Sequence, residues 1–392
     1  MSAYNRAEAC QYLAHIFGGL YTCAMSTTAT IARARPNTGT GTPKFAVSGG
    51  GVLTVSEPGN IEAILKTVSD RNITTVRFAP GLYTSTSQAP MRVSNAAGTL
   101  KLSALSGDAR GQAAVDLRGI FDFGNMSSIA VENVRITSPN ADPPLYFENA
   151  DEGVSLSVTL TDVTLVAGED GAALNIYDRM IVDAFNLTLN GTTGGINAPL
   201  VVSPSGEDRA ALRTTGSTIV NGYNHRGDAV EVYNGVGEII GNASSWMLEG
   251  AVSLRGGHSP AGADEPGKFI FGNTTFSLRI VSAETAPVIR FEKDVVGGTD
   301  EPPKLAFVTF DTIVVELLDD FSNGYSAIEV NDITYQADVN DELDTDHDIT
   351  IRIGRYVEDL THGGVPHQNF TNNAWKMHGS DLETGAKQGT IV

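Results

Sequence analysis

The stretch DAVEVY (228–233) decides how this chain is read. Alternation along an extended strand sets Val230 and Val232 on one side and Glu231 and Tyr233 on the other. The same pattern, a small residue followed by alternating apolar positions, recurs on both sides of it. It reads PPLYFE (143–148), AALNIY (172–177), APLVVS (198–203), GAVSLR (250–255), PVIRFE (287–292) and SAIEVN (326–331), every 22 to 40 residues. A second pattern lies between these segments, an apolar alternation that crosses an Asn, Asp or Gly. It appears as IAVENVRIT (129–137), VTLTDVTLV (158–166), IVDAFNLTL (181–189), LRTTGSTIV (212–220), FIFGNTTFSL (269–278), AFVTFDTIVV (306–315) and ITIRIGRYV (349–357). Two interleaved strand signals at one period predict stacked turns, each covering the apolar edge of the last. The expected fold is all-β: a right-handed parallel β-helix over 46–358, with an N-terminal segment 1–45 and a C-terminal extension 359–392.

Composition fits that architecture. The 392 residues are enough for a large core, and 42 glycines suit a turn at every corner. The net charge is −20, and only eight of the 26 basic residues are Lys. Such a surface repels nucleic acid, which excludes nucleic-acid binding as the expected role. High acidity with little Lys also matches a protein that works in high salt. No run reaches the ~18–20 apolar residues of a membrane span.

The charge is divided unevenly. Residues 1–45 are net +3 and the remainder is −23. That division marks a separate N-terminal segment with its own partner. The two cysteines, Cys10 and Cys23, both fall within it. They are one local disulfide or two thiols, and the body is not a disulfide scaffold. Residues 4–24 have a loosely helical apolar pattern, and 26–45 are rich in Thr, Ala and Pro. This segment is read either as an anchor docking on another protein or as a cap on the first turn. Tyr12 to Met25 makes a poor secretory signal, because Glu8 precedes it and His15 interrupts it.

Residues 58–85 predict a helix from about Ile61 to Ser69, started by Asn60 or Gly59 and stopped by Asn72, then a strand. The phrase VRFAPGLYTS (76–85) runs a strand into a Pro-Gly-x-Tyr corner. It resembles the opening turn of pectin-lyase-like β-helix proteins, and the preceding helix resembles their N-terminal cap. The resemblance covers about residues 50–360. It implies the fold, and it leaves function open among lyases, glycoside hydrolases, phage tailspikes and inert spikes. The Arg-x-Pro-x-x-Arg stretch and Asp-rich calcium site of the pectate lyases are missing. The polygalacturonase motifs find only Gly256-Gly257-His258 and Asp319-Asp320, both out of context.

Extending the register of 228–233 to each repeat gives two outward columns. The first is Tyr146, Asn175, Val201, Glu231, Ser253, Arg290, Glu329. The second is Glu148, Tyr177, Ser203, Tyr233, Arg255, Glu292, Asn331. Tyr146, Tyr177, Tyr233, Arg255 and Arg290 are the candidate carbohydrate contacts. Glu231 and Glu292, two rungs apart, are the candidate carboxylate pair, with Asp228 and His225 at the adjoining corner. Their expected separation of roughly 10 Å or more lies at or beyond the ~6.5–9.5 Å of an inverting glycosidase. An exposed ladder of alternating charge explains the same residues without a site.

The loop DVNDELDTDHD (338–348) gathers Asp338, Asn340, Asp344, Asp346 and Asp348. That oxygen density suits Ca²⁺, although the Gly of an EF-hand loop is missing; a solvated acidic loop is the other reading. No other cofactor is expected. Seven Asn-x-Ser/Thr sequons occur, and Asn133, Asn242 and Asn273 fall where the second pattern crosses a corner. A stacked asparagine ladder there accounts for them without glycan.

The expected function is a virion surface structural protein (a spike, turret or tail component) of a virus with a halophilic host. By resemblance it is a homotrimer, docked on another virion protein through residues 1–45. A tailspike-like polysaccharide depolymerase and a non-catalytic carbohydrate-binding adhesin are the alternatives.

Overall fold

In the computed structural model the protein is all-β, built mainly of parallel strands. The structure describes residues 39–105, 115–124, 126–146, 155–177, 179–203, 210–233, 237–256, 267–281, 284–285, 288–293, 306–318, 328–331, 350–353, 356–359 and 375–378. All belong to the unit Asn37–Val392. Most of the expected N-terminal segment, with Cys10 and Cys23, and the acidic loop 338–348 lie outside the described residues.

Two parallel sheets dominate. The longer has sixteen strands, and its main path includes Leu156–Val166, Met180–Gly195, Ala211–Asn224, Glu238–Leu248, Gly267–Leu278 and Ala306–Leu317. The shorter has seven: Leu174–Tyr177, Leu200–Ser203, Asp228–Val232, Ala251–Gly256, Ile289–Lys293, Ile328–Asn331 and Trp375–His378. From residue 156 to 331 the chain visits the two sheets alternately. Each strand pairs in parallel with the next of its own sheet. Both patterns read in the sequence therefore correspond to strands. Trp375–His378, within the expected C-terminal extension, adds to the shorter sheet beside Ile328–Asn331.

Side-chain alternation places the core. Val158, Leu160, Val163 and Leu165 are buried, while Ser157 and Thr159 are exposed. The buried spacing is two residues along each arm of the strand but three across Asp162, which has a left-handed φ of 52°. The same corner recurs at Asn133 (φ 54°), Asn186 (53°), Gly216 (72°) and Ala243 (53°). Asn, Asp and Gly tolerate this backbone best. It turns the strand while keeping its apolar face inward. Asn186 Nδ2 donates to Asp162 Oδ1 at 2.9 Å, and Asn186 Oδ1 accepts from Ser217 N at 3.1 Å. The corner ladder therefore runs through Asn133, Asp162 and Asn186. Gly216 holds the next rung; the left-handed residue on the rung after it is Ala243 rather than Asn242, and Asn273 has no positive φ.

Asn60 caps the helix Ile61–Asp70, its side chain accepting from Ala63 N at 3.2 Å. Ile61, Ile64, Leu65 and Val68 are buried and join the main core. Glu62 in the first turn accepts from Ser85 Oγ, Thr86 N and Ser87 N, tying the helix to the segment after the Pro-Gly corner. In that corner Tyr83 is buried edge-on to Phe78 and donates to Ala79 O at 2.8 Å. Further along, Trp246, Phe271, Phe310 and Phe276 form a continuous run of ring contacts, edge-on between Trp246 and Phe271, stacked between Phe271 and Phe310, and tilted between Phe310 and Phe276.

Candidate functional site

The first outward column is real as a register. Asn175 pairs with Val201, Val201 with Glu231, Glu231 with Ser253, Ser253 with Arg290 and Arg290 with Glu329. Tyr146 does not head it. Its strand, Leu145–Tyr146, pairs with Phe121–Asp122 in a separate three-stranded sheet. In the second column Tyr177 pairs with Ser203, and Arg255 with Glu292 and Glu292 with Asn331. The side chains of Arg255 and Glu292 lie outside the described residues.

The expected exposed face is closed at its centre. Glu231 is 1 % exposed, Ser253 and Asp228 0 % and Arg290 4 %. Alternation told which side of the strand these residues take, and that assignment stands. What it could not tell is whether that side meets water, because burial depends on what packs over the strand. The expectation of an exposed charge ladder is therefore corrected at these rungs.

The buried groups are knitted to one another. Arg290 Nη1 donates to Asp228 Oδ1 at 2.7 Å, and Nη1 and Nη2 each donate to Arg226 O at 3.2 Å. Asn224 is the hub, fully buried at the end of its strand. Its Oδ1 accepts from Arg226 N (2.9 Å) and Asp228 N (3.0 Å). Its Nδ2 donates to Glu231 Oε1 (2.9 Å) and lies 3.5 Å from Asp228 Oδ2. Tyr233 OH donates to Glu231 Oε2 at 3.2 Å. A carboxylate buried without such partners would cost several kcal/mol, roughly the penalty of an unpaired ion. Ser253 Oγ, on the rung between Glu231 and Arg290, is buried and has no hydrogen-bond partner among the described residues.

Asn224 and Arg226 were not among the expected site residues. A signal for Asn224 was present: Asn-His-Arg-Gly-Asp (224–228) is turn chemistry, with the Asn side chain bonding the backbone two residues on and Gly227 at φ 86°. His225, expected near the carboxylates, is exposed, and its backbone N donates to Gly195 O at 2.7 Å.

Chemically, this arrangement braces. Glu231 and Asp228 meet through one amide, but neither is reachable by a ligand in this structure. In the backbone register Glu292 stands two rungs and two residues from Glu231, roughly 12 Å by strand geometry.

The tyrosines are more open. Tyr146, Tyr177 and Tyr233 are all half-buried. Asn175 Nδ2 donates to Tyr177 OH at 2.7 Å. Burial first, then the nearby Tyr146 and Asp142, raises the Tyr177 phenol above its ordinary pKa. Tyr146 and Tyr177 thus share a neighbourhood, whereas Tyr233 sits over Ala172, Ala198 and Val201 and donates its hydroxyl to Glu231.

Among the described residues no group of three or more His, Cys, Asp and Glu side chains is placed to hold a metal ion. The expected Ca²⁺ ligands Asp338, Asp344, Asp346 and Asp348 lie outside the described residues. Among the described residues no helix is long and apolar enough to cross a membrane. Compared with known proteins, the chain matches no family model, no curated protein and no solved structure.

Proposed function

We propose that this chain is a virion surface structural protein, a right-handed parallel β-helix similar to the pectin-lyase-like superfamily and presented toward a host cell. The observation that carries the reading is the closure of the outward column at Glu231, Ser253 and Arg290. Groups that a depolymerase would need on an open face serve there as internal ties. The coil reading draws support from the alternating passage between two parallel sheets. Each rung adds ~4.8 Å, so a stack of this kind is a stiff rod that projects far from its base. The division of charge, +3 in residues 1–45 against −23 beyond, supports docking on another virion protein through that segment. The scarcity of Lys in an acidic body fits a halophilic host. A homotrimer is the assembly the resemblance implies.

Removal of residues 1–45 tests docking. The expected product is a folded coil that no longer enters particles; normal incorporation overturns the anchor. Reducing-end release from host surface polysaccharide, at low and multimolar salt, tests the structural reading against the depolymerase. The expected result is no release. Release that a Glu231→Gln, Glu292→Gln double variant loses would put the enzyme in its place.

One observation favours the adhesin as a second reading: Tyr146 and Tyr177 lie close together and half-exposed, available to stack on sugar. Retention on a host-glycan column, without product and lost in Tyr177→Ala, would establish it.

A further inference from the structure

The shorter sheet does not continue the one before it. Leu145–Tyr146 is an end strand of the three-stranded sheet, and Leu174–Tyr177 an end strand of the seven-stranded one. The two are neighbours in space, yet no ladder among the described residues joins them. Asp142, Tyr146, Asn175 and Tyr177 gather at this break, all half-buried. Asp142 is placed by its own loop: Ser138 Oγ donates to Asp142 O at 2.6 Å, and Asp142 N donates to Asn140 Oδ1 at 2.9 Å. Both bonds use its backbone and neither uses its carboxylate. Asn175 Nδ2 donates to Tyr177 OH at 2.7 Å, whereas Asn175 Oδ1 is buried and has no hydrogen-bond partner among the described residues. A buried carbonyl in that state carries a desolvation cost that a bound donor removes.

The surroundings of that carbonyl share one sign. Burial, then Tyr146 and Asp142, raise the Tyr177 phenol. In the register Tyr146 pairs with Asp122, a buried carboxylate, and Arg92 follows one rung further away. On the other side Asn175 pairs with Val201, which is apolar and 5 % exposed. The break thus presents a carbonyl and a carboxylate as acceptors, and two half-open phenol rings whose faces are also negative. An anion is opposed both by Asp142 and by the −20 charge of the chain.

We propose that this break is a binding site for a sugar carrying a free amine. The ammonium supplies N–H donors to the Asp142 carboxylate and to Asn175 Oδ1. The apolar face of the sugar lies on a tyrosine ring, and the charge gains further from the aromatic face. Asn175 Oδ1 is reached by displacing the Tyr177 ring, whose hydroxyl is tethered through Asn175. A neutral sugar meets the rings but leaves the carboxylate unmatched, and an acidic sugar is repelled. The inference names the ligand class for the adhesin reading and rests on that reading for the glycan source.

The test is a ligand-observed nuclear magnetic resonance titration of the full-length chain with glucosamine, at a slightly acid pH that keeps its amine charged. N-acetylglucosamine, glucose and Nα-acetyl-lysinamide run beside it. Excess NaCl screens the general pull of an acidic chain on cations. Glucosamine is expected to bind at least about tenfold tighter than either uncharged sugar, as a hydrogen-bonded charge implies, and tighter than acetyl-lysinamide. Asp142→Asn should weaken it by a similar factor, and Asn175→Asp, which keeps an acceptor and adds charge, should tighten it. Equal binding of N-acetylglucosamine or glucose overturns the cationic class. Acetyl-lysinamide as tight as glucosamine assigns the site to a lysine of a protein partner and overturns the sugar. Absence of glucosamine binding, or binding unchanged in Asp142→Asn, overturns the site. The comparison among the four probes needs no variant, so it stands even where a variant misfolds. Retention on host glycan does not require an amine, so the adhesin reading and this ligand class fail separately.

Discussion

Arg290 Nη1 lies 2.7 Å from Asp228 Oδ1 although 62 positions separate them, and both side chains are almost wholly buried. The contact spans two rungs of the shorter sheet, across Ser253. Removing one partner of a buried ion pair strands the other, at about 3–5 kcal/mol, whereas replacing both is often near neutral. Arg290→Met should therefore lower the unfolding free energy, read from guanidinium denaturation, by an amount in that range. Arg290→Met combined with Asp228→Asn should be less destabilised than the sum of the single variants. Additive losses in the double-mutant cycle would mean the pair is not a functional unit of the fold.

Glu62 tests the acid limb of stability. Hydrogen bonds from Ser85, Ser87 and Thr86 outweigh its desolvation and hold its carboxyl below the ordinary value of 4.5. A depressed folded pKa stabilises above the unfolded value and is lost as pH falls through the folded one. Melting temperature should thus decline more steeply between about pH 5 and 3 for the wild type than for Glu62→Gln, near the usual Glu range. At neutral pH the variant should be the less stable. Parallel curves would remove Glu62 from the acid response.

Ala243 holds a left-handed φ of 53° with an exposed side chain. That backbone costs an L-residue with a Cβ roughly 1 kcal/mol more than glycine. Ala243→Gly should raise the melting temperature, an uncommon direction for a glycine substitution within a strand. An unchanged or lower value would show that the corner is not strained at this rung.

Phe271 stacks on Phe310 at 4.9 Å and meets Trp246 edge-on at 5.1 Å, all three buried. Phe271→Ala should cost about 3–5 kcal/mol, the usual range for a buried aromatic. It should also flatten the near-ultraviolet circular dichroism from Trp246. A loss under about 1 kcal/mol would mean the stack collapses to fill the space.

Much of the architecture was legible because its signals are local. Period-two alternation placed the strands, and Asn60 and Asn72 bracketed the helix as their capping chemistry requires. Corner residues were legible where Asn or Asp occupies them, as at Asn133. They were misplaced by one position at Ala243, whose side chain gives no local reason to adopt a left-handed backbone. Tyr146 was assigned to the wrong sheet because its segment has the same short pattern as the others, and pairing depends on chain geometry outside the pattern.

The candidate site divides along the same line. By itself the sequence determined that Glu231, Ser253 and Arg290 share one side of adjacent strands, since alternation is a property of each strand's own backbone. Only the tertiary structure decided that this side is closed there, that Arg290 reaches back to Asp228, and that Asn224 joins the two carboxylates. Those facts depend on segments far apart in the chain meeting in space. Burial and hydrogen-bond partnership are properties of that meeting, and no residue carries them alone.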